Sequence, residues 1–218
     1  MEYNMTFQDN IPERDFNSRA QGTLNWIKEN RDKFDWAKDP NAYEMTNFFL
    51  FGAKYAAEGQ DINIQYLEEM WKIRSQDFAN CGIGENNFVY GICEDSFNGS
   101  KNGRALVNDE NSHHALRKMA GIGLYLKQQQ RDGHEIRYDN LSEFQVLLET
   151  SRTLKGVHPE LFEKYKFGEN IEVIYGLLEK NLDEQSKKTI LDAKQKLLGV
   201  TKQDREVRIP EDKTVEER

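Results

Sequence analysis

Residues 81–112, CGIGENNFVYGICEDSFNGSKNGRALVNDENS, decide how this chain is read. Five glycines (82, 84, 91, 99 and 103) and six asparagines (86, 87, 98, 102, 108 and 111) punctuate the segment. Both residue types tolerate the backbone conformations of turns, glycine for want of a Cβ and asparagine through its short polar side chain. The segment therefore reads as an irregular insertion. Its best strand signal is Phe88-Val89-Tyr90-Gly91-Ile92, and a short β-hairpin is the form it would take. It also brings the cysteines, Cys81 and Cys93, next to the adjacent histidines His113 and His114.

Helical periodicity flanks the insertion on both sides, over residues 12–80 and 113–199. Upstream, residues 1–11 read as an extended lead-in, and Pro12 suits the first turn of a helix. Phe16, Ala20, Leu24, Ile27 and Phe34 fall near one face of that helix. A second helix is expected from about Ala42 to Ala57. Its centre, Phe48-Phe49-Leu50-Phe51, is apolar all round and so belongs in the middle of a bundle. Asp61 or Asn63 can cap a third helix carrying Ile64, Leu67, Met70, Trp71 and Phe78. Downstream, His113–Gln130 carries an inward stripe of Leu116, Met119, Ala120 and Leu124, with Gly121 and Gly123 permitting close approach of another backbone. Asn140-Leu141-Ser142-Glu143 resembles a capping box. His158-Pro159-Glu160 opens a short helix, Ile171, Ile174, Leu177 and Leu178 mark another, and Asp183 and Gly199 bound the last. His134–Tyr138 and Glu206–Ile209 alternate weakly, too little for a large sheet.

The fold class that follows is mainly α: a bundle of about seven to eight helices, interrupted by the irregular insertion and followed by a charged C-terminal arm. The domain organisation expected is a lead-in (1–11), one helical domain (12–199) and the arm (200–218), because no Pro/Ser-rich linker divides the middle.

Composition narrows the function classes. The 218 residues carry 38 acidic and 30 basic side chains, a formal net charge of -8, and no basic block of the kind that neutralises nucleic acid. The longest useful apolar run, residues 48–51, is far short of a membrane span. The N-terminus lacks the basic start and apolar core of a classical secretion signal. Two cysteines make no disulfide framework. A cytoplasmic location, or one inside a large assembly such as a virion, is expected. Aromatic residues make up 11% of a chain whose mean hydropathy is -0.85. Large anchors on a polar chain suit a protein that completes its burial against partners.

No local motif specifies a reaction. Cys81, Cys93, His113 and His114 do not space as a zinc knuckle, and adjacent helical histidines point about 100° apart. Glu94–Gly99 places Phe97 where a calcium loop needs oxygen. Gly82-Ile83-Gly84 lacks the third glycine of a dinucleotide loop, and no Walker lysine occurs. No metal and no cofactor are expected. The residues with chemical potential are Cys93, His113, His114, Asp95 and Asp109, which would serve a hydrolase or transferase with a non-local site. A second alternative is a small acidic regulatory binder or inhibitor.

The leading expectation is a non-enzymatic assembly protein, such as a ring, adaptor or connector subunit of a viral particle. Its partners would be other proteins or copies of itself, with no membrane. Contact would run through the arm and the 81–112 segment, with Phe88, Tyr90 and Phe97 as anchors, since interface energy concentrates in aromatics, and Val207 and Ile209 as the arm's anchors in a β-addition to a partner's edge.

Overall fold

A computed structural model describes residues 15–30, 41–80, 82–131 and 133–199. The lead-in, Pro12, Phe34, Cys81 and the arm with Val207 and Ile209 lie outside the described residues. Among those described the protein is mainly α. Its helices are α1 (Phe16–Asn30), α2 (Asn41–Ala57), α3 (Ile64–Asn80), α4 (Phe88–Asn102), α5 (Glu110–Arg131), α6 (Leu141–Val157), α7 (Pro159–Lys164), α8 (Phe167–Leu178) and α9 (Glu184–Leu198). Among the described residues there is no strand.

The ends of the helices are set by local chemistry. Asn140 Oδ1 accepts from the Glu143 amide at the start of α6, and Asp183 from Ser186 at the start of α9. Asn63 Oδ1 accepts from the Gln65 amide at the start of α3. Gly103 and Gly199 adopt left-handed backbone, φ 61° and 74°, and close α4 and α9.

The 81–112 segment departs from the irregular insertion and hairpin that its glycines suggest. Residues 88–102 form a helix, which is also why the helices number nine among the described residues. Asn87 caps it by accepting from the Val89 amide. Val89, Ile92, Cys93, Ser96, Phe97 and Ser100 are buried at helical spacing. Gly91 and Gly99 lie within α4 rather than in turns, and Gly99 makes room for its neighbours. A Cβ on Gly91 would lie 3.5 Å from the Tyr165 ring, and one on Gly99 would meet the Arg104 carbonyl oxygen and, at 3.3 Å, Ala53. His134–Tyr138, the other weak strand signal, is irregular, with Tyr138 buried and its hydroxyl donating to Glu143 Oε2 at 3.1 Å.

Two apolar clusters build the interior. The first gathers α1, α2, α3 and α4 around Phe16, Phe48, Phe49, Leu67, Met70 and Phe97. The second gathers α5 to α9 around Leu116, Met119, Phe144, Leu147, Phe167 and Ile174. α2 and α4 supply both: Leu50 and Ile92 face the second cluster while their neighbours face the first. The pairing of α2 with α4 is the most extensive between any two helices described. Phe48–Phe51, apolar all round, sits at this seam as its sequence requires.

Replacing Gly99 with alanine should destabilise the fold by about 1–3 kcal/mol, because the obstacle is a backbone oxygen that cannot step aside. Gly22 lies exposed within α1 with open space around it. There the same change should stabilise by roughly 0.5–1 kcal/mol. Urea denaturation of the two variants, read by helical circular dichroism, checks the opposite signs.

Candidate functional site

The residues with chemical potential are brought into the bundle but not into one site. Cys93 is 0% exposed, and its Sγ lies 3.9 Å from Thr46 Oγ1. Burial pushes the thiol's pKa up to about 12, against smaller opposing effects from Thr46 and Arg74. At neutral pH it is a protonated thiol walled off from solvent, the reverse of a reactive cysteine.

His113 is 4% exposed on α5, with its ring 4.8 Å from that of Phe51. Burial, reinforced by the nearby Arg117 charge, pushes its pKa down to about 4. Arg117 is itself buried, placed over the Phe51 ring at 4.8 Å, and its Nε donates to Asn47 Oδ1 at 3.3 Å. The imidazole is therefore neutral where the guanidinium is charged. His114, the next residue, is partly buried.

Asp95 and Asp109 hold elements together. Asp95 Oδ2 accepts from the Tyr165 hydroxyl and from Lys164 Nζ, both at 2.5 Å, fastening α4 to the end of α7. Burial and the bond to Asp95 push the Tyr165 phenol well above its ordinary value. Asp109 starts α5, its Oδ1 accepting from the Ser112 amide at 2.8 Å, so the helix begins at Glu110 rather than at His113. Asp109 Oδ2 also lies 3.5 Å from His158 Nε2 at the α6–α7 junction. Burial works to raise the Asp109 carboxyl, but its bonds from Ser112 and the His158 charge leave it below the usual carboxylate range. No group of three or more His, Cys, Asp or Glu side chains fit to hold a metal ion occurs among the described residues.

The anchors expected on the 81–112 segment divide. Phe97 is buried, stacked on Trp71 with centroids 5.4 Å apart and meeting Phe49 edge-on, so it is a core residue rather than an interface anchor. Tyr90 is half-buried against Trp71, its hydroxyl donating to Glu94 Oε1 at 3.3 Å. Phe88 is half-buried and lines a groove.

That groove is the candidate functional site. It has a volume of about 250 Å³ and lies between the start of α4, the C-terminal half of α5, the 133–140 connection and one face of α8. Phe88, Gly123, Leu126, Ile136, Val173 and Leu177 supply its apolar lining. A Cβ on Gly123 would lie 2.5 Å from the Phe88 ring and 2.6 Å from Val89, so this glycine is what lets α4 close on α5. The polar residues of the lining are engaged within the chain. Asn87 caps α4, Asn170 Nδ2 donates to the Tyr165 and Lys166 carbonyls, and Lys127 Nζ donates to Gln130 Oε1 at 3.1 Å. What remains is apolar surface. Val173 is 59% exposed, one of two large hydrophobic residues so exposed among those described. Sequence reasoning reached Phe88 and read Leu177 as core. Val173 passed unnoticed because it lies outside the inward stripe of α8.

Two predictions follow from the buried pair. Cys93 should resist thiol alkylation in the folded chain and react on unfolding, as peptide mass spectrometry would show; ready labelling under native conditions contradicts its sealed position. The depressed His113 pKa makes the unfolded chain the stronger proton binder between about pH 6.5 and 4. The stability it confers is therefore complete above pH 6.5 and is lost as the pH falls toward 4, by up to about 3 kcal/mol. His113→Leu should flatten that part of the stability–pH curve measured by chemical denaturation.

Neither a family model, nor a characterised protein, nor a solved structure matches this chain. Its own geometry is the ground on which a function is proposed.

Proposed function

We propose that this protein is a non-enzymatic assembly subunit, a ring, adaptor or connector that associates with copies of itself through the apolar groove and the C-terminal arm. The observation that carries this reading is the groove: apolar, open to solvent and partly lined by Asn87 and Phe88 of the 81–112 segment. Its volume is below the roughly 300–1,000 Å³ of small-molecule pockets, and its polar side chains are already engaged. It suits one or two aliphatic side chains of a protein partner better than a polar substrate. A location inside a large assembly, a virion among the options, belongs to the same proposal.

The alternatives draw less support. A catalytic site around Cys93, His113 and His114 would need an accessible thiolate, and Cys93 is sealed and protonated. An acidic binder would need a concentrated acidic face. Several acidic side chains of the described surface are paired with lysines: Lys54 with Glu110 at 2.8 Å, Lys101 with Glu68 at 3.1 Å, and Lys28 with Glu69.

Light scattering across concentration tests the proposal. The full chain should rise from the 25.5 kDa of one copy to a defined multiple. Ending the chain at residue 199, or replacing Val173 with glutamate, should hold it at one copy with helical content unchanged. A full chain that stays at one copy throughout would sink self-assembly.

A further inference from the structure

We infer that the groove's occupant is the C-terminal arm of the same molecule, with Val207 and Ile209 as the two side chains that enter it. The inference deepens the assembly reading and rests on it for its consequence.

The root of the arm adjoins α8, the helix that walls the groove. α9 ends at Gly199, with Leu198 3.6 Å from where a Cβ on Gly168 would lie, at the start of α8. Lys155 Nζ donates to the Leu197 carbonyl at 2.7 Å and fixes that end. The groove's α8 residues, Asn170, Val173, Ile174 and Leu177, begin less than one turn along the helix but lie roughly 140–240° around it from Gly168, so the arm has to pass round α8 to reach them. From Gly168 to Leu177 is about 14 Å along the helix axis. Residues 200–207 extend to about 26 Å. Passing round a helix about 10–12 Å across adds a path comparable to that rise, and the extended arm covers the way to Val173 with little to spare.

The spacing also fits. Val207 and Ile209 are two residues apart, so on extended backbone they share a face at roughly 7 Å. Val173 and Leu177, one turn apart on α8, are separated by about 6 Å of rise. Pro210 disfavours helical backbone at Ile209. Glu206 and Arg208 alternate with the apolar pair and would face water. Eight linking residues give the arm an effective concentration near the millimolar range, so docking on its own molecule precedes docking on another at micromolar protein. Exchange of the same contact between copies then builds the assembly at higher concentration, a low-cost route to association.

Methyl NMR on the full chain tests this, at a concentration where light scattering gives a single copy. The comparison is a chain carrying Val207→Asp and Ile209→Asp, changes outside the described residues. The Val173, Ile174 and Leu177 methyl signals should differ between the two chains, with the docked set lost in the variant. Identical spectra would overturn the inference. So would differences that emerge only where the mass rises, since the groove would then be filled by a neighbour's arm. Docking seen in a chain that never associates would uphold this inference and sink the assembly reading.

Discussion

The packing of α4 against α2 is the constraint on which the rest depends. Four consecutive large residues, Phe48–Phe51, cover the circumference of α2, because successive helical side chains turn about 100°. Each is nearly or fully buried, and each contributes roughly 1.5–3 kcal/mol on leaving water. Such a helix is stable only with neighbours on every side. α4 provides the closest of them through small residues: Gly99, Ser96 and Ser100. The two serines are buried without cost in lost hydrogen bonds, since Ser96 Oγ donates to the Ile92 carbonyl at 2.6 Å and Ser100 Oγ to Ser96 at 3.0 Å. With Ile92 on its other face, α4 then joins the two apolar clusters, and its N-terminal end forms one wall of the groove.

This arrangement explains what the sequence made legible. Helix ends written in capping residues were found at Asn140, Asp183 and Gly199, because a side chain or a left-handed glycine decides them locally. The stripes of α1, α3 and α6 were equally plain. α4 was hidden by the very residues that let it pack. Glycine marks a turn when judged by backbone freedom alone, but Gly99 is glycine because the Arg104 carbonyl stands where a Cβ would go and Ala53 of α2 crowds the same spot. Gly82 and Gly103, both at positive φ, are the turn glycines in the sense the pattern implied. That distinction depends in part on a neighbour distant in sequence, Ala53 being 46 positions from Gly99, and no local pattern holds it.

The same logic separates chemical potential from function. Cysteine, histidine and aspartate drew attention as residue types, but their behaviour is set by burial and partners. Cys93 and His113 sit in low-dielectric surroundings that favour their neutral forms. Asp95 is engaged by Lys164 and Tyr165, and Asp109 keeps its charge because the start of α5 and His158 meet it. Each has a structural task that accounts for it. The groove, in contrast, contains no residue type that signals a site. It is made by Gly123 admitting Phe88 and by Val173 standing on the outer side of the α8 stripe.

Charge further limits how such a subunit can associate. Each copy carries a net charge of -8, so two copies repel at long range, while salt confines that repulsion to about 8 Å at physiological ionic strength. Exposed ion pairs contribute little and weaken in the same salt. Lys28–Glu69 and Lys101–Glu68 consume opposite charges within one molecule instead of offering them to another. Short-range apolar burial is the attraction left, and it acts only where apolar surface is open and shaped. In the described structure the groove beside Val173 meets that requirement, and the proposed entry of Val207 and Ile209 would leave Glu206 and Arg208 in water.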